Sequence, residues 1–373
     1  MRKLSRAKKV GIVAAGALLV ALIPGTPAMA NPPCGTTVLA NLTLTGDLVC
    51  AGNALSIGAS SITVDLAGFK IVGNGTGSAI ADTGQGSLTV KNGTISGFAI
   101  GLDLRNVAGA TVSAMTIRDG TGISAKTLSN LSVSSTEFRS TTLTISLNSP
   151  SAVFSKTLFR SASLSFDESN NTQIVNSDLL DSTVSGSESN TVTVSNNVFD
   201  RSSLSYTATS KNWTIQSNTF AKAKVGLTIG SASPGAKISG NTFTSNNLGI
   251  FINNNNLLEL DGTSISSNTF NNNGAAGILF NSNTFTGAPT VSISGNVFFR
   301  NGFSPAGRTD RLGRTVNDGL HTATSAGSNI TISRNVTFVN ANHGISSDPG
   351  TVVDGGGNES IADPAGCTGV VCV

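Results

Sequence analysis

Apolar residues recur along this chain in a fixed frame, one apolar position followed by another five residues later, and the frame itself repeats. In the stretch ISGNTFTSNNLGIFIN, Ile238 opens the frame, Asn241 follows three places on, Phe243 five places on, and Gly249 with Ile250 opens a second strand. The same frame anchors at Leu44, Val64, Val90, Val112, Val133, Phe154, Val175, Val194, Ile215, Ile238, Ile265, Ile293 and Ile332. Most anchors lie close to 21 residues apart, and the spacing lengthens to 27, 28 and 39 at the C-terminal end. A period of this length predicts a repeat architecture built of coils that bury their apolar face against one another, with insertions mapping to loops on one face. No stretch after residue 30 carries helix-capping signals around an apolar period of 3.6.

The position five residues after each anchor is Ile95, Ile117, Phe138, Phe159, Leu180, Phe199, Phe220, Phe243, Phe270 and Phe298. Stacked at one site, these predict an internal column, which accounts for 17 Phe beside one Trp and one Tyr. Trp213 and Tyr206 also fall at inward positions. The third position becomes Asn in six coils, at Asn197, Asn218, Asn241, Asn268, Asn296 and Asn335. Asn tolerates the turn conformation expected there, and stacked amides can hydrogen-bond along the column. A second strand follows where Gly precedes an apolar residue, as at Gly101, Gly226, Gly249, Gly277, Gly319 and Gly344.

Residues 1–30 read as a signal peptide: five basic residues, an apolar run from Gly11 to Ile23, and Ala28-Met29-Ala30 before the expected cleavage. The run is too short to span a bilayer, and no later run is longer, so no membrane span is expected after cleavage. The expected location is secreted, with residues 31–373 as one domain. Five of the 23 basic residues lie in the leader; the remaining 18 face 20 acidic ones, a net charge of −2. That balance offers no electrostatic footprint for nucleic acid. Export permits disulfides. Coils numbering about thirteen, each rising roughly 4.8 Å, separate the chain ends by about 60 Å, whereas a disulfide needs Cα atoms within about 7 Å. The pairing must therefore be Cys34 with Cys50, in an N-terminal cap coil over residues 34–50, and Cys367 with Cys372, in a tail over residues 361–373.

The coil pattern, the Asn column and the Gly-Ile second strand resemble the right-handed parallel β-helix family, the pectin-lyase-like fold, over residues 34–360. They also resemble the repeat segment of periplasmic β-helix proteins that bind or process carbohydrate. The resemblance implies an all-β solenoid of about thirteen coils. It is silent on activity, because the fold carries lyases, hydrolases, epimerases, adhesins and binding modules. In polysaccharide lyases of this fold, calcium-binding carboxylates and a basic proton acceptor project from the sheet of the anchors. Here that sheet presents Thr111, Ser113, Ser132, Ser134, Thr193, Ser195, Ser264, Ser266, Ser292, Ser294, Thr331 and Ser333. This hydroxyl ladder could serve an adhesin or surface-binding protein.

Charge concentrates instead between Arg300 and His321, and both histidines of the chain, His321 and His343, lie at this end. Aligning Asn317-Asp318-Gly319 with Asn342-His343-Gly344 places Asp318 beside His343 one coil later, where a carboxylate can orient and charge an imidazole. His321 is expected to point outward. Asp318, His321 and His343 are the acid–base candidates, and Arg308, Arg311 and Arg314 are candidate clamps for a uronate carboxylate. The Asn-Asp-Gly is a fragment of the galacturonase pattern, and Asp348-Pro349 lacks the His-Asp of alginate epimerases. Two histidines and Met115 do not make a soft copper site. Calcium on Asp310, Asp318, Asp348 or Asp354 is conceivable without any supporting spacing, and no cofactor is implied. The first expectation is an extracellular module binding polysaccharide or envelope glycan through the C-terminal loop face. The second is a polysaccharide lyase, epimerase or hydrolase using the Asp/His group.

Overall fold

A computed structural model describes residues 31–146, 151–230, 233–254, 260–282, 290–324 and 329–373. The expected signal peptide lies outside the described residues. Asn31–Val373 forms one compact unit.

Each regular coil carries three short strands, as in Lys237–Ser239, Thr242–Thr244 and Leu248–Asn254. Each pairs in parallel with its counterpart one coil before and one coil on. The third strands form a sheet of 15, and no helix occurs among the described residues. Crossovers between parallel strands are right-handed, because a right-twisted strand packs back onto its sheet only that way. The chain is a right-handed parallel β-helix. Its anchor strands run one coil beyond the last predicted anchor, to Val353–Asp354, paired with Thr331 and Ile332.

The interior is the predicted column. Phe199, Phe220, Phe243, Phe270 and Phe298 are buried and stack at 4.5, 4.8, 5.0 and 4.8 Å between ring centroids. That spacing is the rise of a coil, so each ring spends its faces on its neighbours. Trp213 and Tyr206 are fully buried and stack on each other at 4.5 Å. The frame slips in one coil. Ile174, not Val175, pairs with Phe154 and Val194, and Leu179, not Leu180, pairs with Phe159 and Phe199. The two coils around Ile174 are each one residue shorter than the 21-residue period, and in a strand one residue exchanges the inward and outward faces. At the start the register differs by two residues, which keeps the same face: Leu42 rather than Leu44 pairs with Val64.

The Asn column is continuous. Asn218 Nδ2 donates to Asn241 Oδ1 at 3.0 Å, Asn241 to Asn268, Asn268 to Asn296, Asn296 to Asn335 and Asn335 to Asn358. Each amide also donates to a carbonyl of the preceding coil, as Asn241 Nδ2 does to Ile215 O. The left-handed backbone falls on the residue before the Asn, at Ser217, Gly240 and Ser267, so the amide is kept for its hydrogen bonds and not for its backbone tolerance. A second ladder, absent from the sequence reading, runs through Asn246, Asn273, Asn301 and Asn340 and ends on Asp363.

The glycine that opens the third strand is required by close approach. A Cβ on Gly277 would lie 2.8 Å from Gly319 O, and one on Gly226 would lie 2.9 Å from Gly249 O. The hydroxyl ladder of the anchor strands stands on the solvent side of its sheet, with Ser195 alone among its members buried. Both disulfides form as paired, Cys34–Cys50 and Cys367–Cys372, with Cα separations of 5.6 and 6.0 Å. They fit an oxidising compartment outside the cytoplasm.

Candidate functional site: an aspartate–histidine cluster under the C-terminal loop

The outer face of the 15-stranded sheet carries one register column through Phe251, Leu279, His321, Ser346 and Thr368. Hydroxyls solvate the two C-terminal positions, but a long excursion between Phe299 and Asp318 lies over the first three. Val316 packs with buried Leu279 in a small apolar cluster separate from the main core, with Phe251 at its edge. The Arg308 guanidinium sits 4.4 Å from the centre of the Phe251 ring, and burial pulls its pKa down. The tip of the excursion is a turn built on Asp310. Its Oδ1 accepts the backbone N–H of Leu312 at 2.8 Å and of Arg314 at 2.9 Å, and Thr309 bridges Thr315.

His321 therefore projects outward, as expected, yet it is buried by the loop. Its Nδ1 lies 2.6 Å from Asp318 Oδ2 and its Nε2 lies 3.1 Å from Asp310 Oδ2. With a carboxylate at each nitrogen the ring is a bound imidazolium. Burial opposes the charge, but the bonds to Asp318 and Asp310 outweigh it and raise the pKa. Asp318 answers in the other direction. Burial would raise its pKa, yet the hydrogen bonds from His321 and His343 bring it down to about 2.

His343 stands one coil from Asp318, as the motif alignment requires. Asp318 Oδ1 accepts the His343 backbone N–H at 3.0 Å and lies 3.1 Å from its Nδ1. Asn342 Nδ2 lies 2.8 Å from the same nitrogen. These neighbours ask for opposite tautomers, and the ionised carboxylate is the stronger partner, so Nδ1 carries the proton. His343 Nε2 has no hydrogen-bond partner among the described residues. His343 borders a cleft of about 360 Å³ together with Arg314, Thr315, Asp318, His321, Asn342, Ser346, Ser347, Asp348, Pro349 and Thr368.

The three candidate clamp arginines go to different places. Arg314 donates through Nε to Asp310 Oδ2 at 2.6 Å and through both terminal nitrogens to Asp348 at 2.5 and 3.2 Å. Arg311 is tied down through Nε to Ala323 O, with its own N–H on Asn281 Oδ1. Arg308 covers Phe251. Only Arg314 borders the cleft, and its charge is already met. Asp310 and Asp348 are the residues whose part the sequence did not disclose. Asp310 lies in a loop without period, and Asp348 reaches Arg314 from a neighbouring coil.

The family profile described as "NosD: Periplasmic copper-binding protein (NosD)" matches residues 152–313. The chain is a right-handed parallel β-helix protein. Among solved structures, the periplasmic alginate epimerase AlgG is similar over 80% of this chain and 78% of its own, at 12% identity and a TM-score of 0.44. The alginate lyase AlyF-OU02 is similar over 89% of this chain and 80% of its own, at 12% identity and a TM-score of 0.42. The catalytic unit of a thermostable alpha-1,3-glucanase from Streptomyces thermodiastaticus is similar over 87% and 63%, at 13% identity and a TM-score of 0.33. No curated protein matches the chain.

The donor set does not suit copper. Both nitrogens of His321 are engaged by carboxylates, all four cysteines are in disulfides, and Met115 is buried in the core. Among the described residues no group of three or more His, Cys, Asp or Glu could hold a metal ion. The carboxylates considered for calcium are committed elsewhere, Asp310, Asp318 and Asp348 as above and Asp354 to the N–H groups of Gly356 and Val371.

Proposed function

We propose that this chain is a polysaccharide-binding protein of the cell envelope or exterior, and that its C-terminal cleft holds the glycan. One observation carries the reading: the charges that border the cleft are met within it. His321 is matched by Asp310 and Asp318, and Arg314 by Asp310 and Asp348. What remains for a ligand is hydroxyl, amide and imidazole from Ser346, Ser347, Thr315, Thr368, Asn342 and His343. That inventory of mixed donors and acceptors suits a sugar's hydroxyl groups. A glycosidase pair needs one carboxyl group that holds a proton. Asp318, with a pKa of about 2, and Asp310, also lowered, hold none at neutral pH.

A second reading, a polysaccharide lyase or epimerase, draws on the Asp318–His343 contact. An imidazole whose Nδ1–H is anchored on a buried carboxylate presents Nε2 as a general base. Candidate roles are His343 as the base and Asp318 as its positioning residue. His321 would be a strut, since neither of its nitrogens is free.

The test is incubation of the purified, disulfide-intact protein with a panel of neutral and anionic polysaccharides, with calcium and with chelator. Co-sedimentation, unsaturated-uronate absorbance and reducing ends are read from the same tubes. Sedimentation without turnover, weakened by His343→Ala, supports the binding reading. Turnover that vanishes in His343→Ala replaces it with the second. Silence in all three readouts overturns both and leaves the hydroxyl ladder as the surface to examine.

A further inference from the structure

The middle strand of each coil, far from the cleft, carries a second feature. Arg118 pairs in register with Arg139, and Arg139 with Arg160, on three successive coils. The intervening Ile117, Phe138 and Phe159 are buried, so the three arginines share the outer face. Like charges directly opposite one another in a sheet are destabilising, and a net charge of −2 over residues 31–373 makes such a file conspicuous. A single carboxylate touches it among the described residues. Glu137 Oε1 takes Arg139 Nη2 at 2.6 Å and Arg160 Nε at 3.3 Å, while Arg118 makes no ion pair. Arg139 and Arg160 keep side-chain exposures of 53% and 43%. Three cations against one anion leave unspent charge at intervals of about 4.8 Å along the solenoid axis.

We propose that this file is a binding site for an anionic polysaccharide lying along the axis, its carboxylates taken by Arg118, Arg139 and Arg160. A guanidinium presents a planar fork that matches a carboxylate, and a file of them at regular rise matches a polymer that repeats its charge. Nucleic acid is disfavoured by the overall negative charge. The site is independent of the cleft. Its central coil, entering the 15-stranded sheet at Thr142–Ser146, lies seven strands from Asp318–Ala323, roughly 34 Å at the ordinary strand spacing.

The substitution to use is Arg→Ser at all three positions, because Ser96 occupies the same register position one coil earlier. The probe is polygalacturonate at low and high salt, with dextran as the neutral control and inorganic polyphosphate as a second polyanion. A thermal melt of each variant reports the fold. The expected result is salt-sensitive binding of polygalacturonate and not of dextran, weakened about tenfold or more in the triple variant. Glu137→Gln, which releases the only carboxylate on the file among the described residues, is expected to tighten it. Binding that ignores the triple substitution overturns the proposal, as does failure of polygalacturonate to bind. Arginine-dependent capture of polyphosphate alone overturns the assignment to a glycan. Loss of binding in His343→Ala but not in the arginine variant would place the glycan in the cleft and empty the file.

Discussion

His321 Nε2 meets Asp310 Oδ2 at 3.1 Å, and this contact fastens the C-terminal excursion to the sheet beneath it. The ring is held charged between Asp310 and Asp318. Through Arg314 the same cluster reaches Asp348, so the excursion, the strand Asp318–Ala323 and the turn at Asp348 close over one cleft.

Stability should depend on pH through this cluster, with opposite signs at its two ends. The raised pKa of His321 means that its contribution is complete below about pH 6.5 and is lost as pH rises through the folded-state value. Asp318, brought from 3.8 to about 2, contributes above the ordinary carboxylate range and loses that contribution as pH falls toward 2. The latter is worth about 2 kcal/mol. Resistance to thermal unfolding should be greatest between roughly pH 4 and 6.5, and His321→Gln should flatten the alkaline flank. A wild-type alkaline flank that is already flat would show that the ring is not held charged.

The Asn ladder should be costly to interrupt at its centre. Asn268 donates to Ile238 O and Asn296 Oδ1, and accepts from the backbone N–H and side-chain amide of Asn241, all within 2.9–3.0 Å. Asn268→Ala leaves those groups buried and unpaired, at about 3 kcal/mol. Denaturant unfolding is the measurement. A loss below about 1 kcal/mol would mean that water replaces the amide.

How much of this was legible in the sequence follows from what repeats. Ile238, Asn241, Phe243 and Gly249 recur at one period, so the coils, the Phe column and the first Asn ladder could be read directly. The second ladder begins only at Asn246 and shares its turn with variable residues, which hid it. The Asp318–His343 contact was legible because Gly319 and Gly344 fix the register. The burial of His321 was not, because Asp310 sits in a loop that obeys no period. Arg314 looked free for a ligand, since its partner Asp348 lies 34 residues away and no spacing announces it.

The disulfides should act locally, because each coil rests only on its neighbours. Cys34–Cys50 spans 16 residues and Cys367–Cys372 spans five. On the chain-entropy account the first is worth about 3 kcal/mol and the second less. Replacing Cys34 and Cys50 by Ser should raise amide exchange in residues 34–57 and leave the Asn-ladder coils protected. Loss of protection throughout would show that the solenoid unfolds as one unit.

Tyr206 offers a substitution expected to do no harm. It is fully buried, its hydroxyl has no hydrogen-bond partner among the described residues, and burial pushes its pKa up. A buried hydroxyl without a partner costs about 1–3 kcal/mol. Tyr206→Phe keeps the stack on Trp213 and removes that cost, so the midpoint of unfolding should hold or rise. A fall of more than about 1 kcal/mol would reveal a partner for the hydroxyl.

Gly186 is where the core should tolerate least. It stands in register between Phe166 and Tyr206 on neighbouring coils, and the Trp213 indole fills the space that a side chain would take. A Cβ there would lie 2.6 Å from Trp213 Cζ2 and would also strike the Phe166 ring. Neither ring has room to retreat. Phe166 and Trp213 stack at 5.5 Å, Tyr206 closes the other face of the indole at 4.5 Å, and Trp213 Nε1 donates to Ser189 O at 2.8 Å. Gly186→Ala should therefore cost about 1–3 kcal/mol by overpacking, although alanine suits a strand better than glycine does. Because Trp213 is the single tryptophan, its fluorescence reports the site directly. The expected variant unfolds earlier and emits at longer wavelength as the indole shifts. An unchanged spectrum with unchanged stability would mean that the indole does not occupy the Gly186 gap.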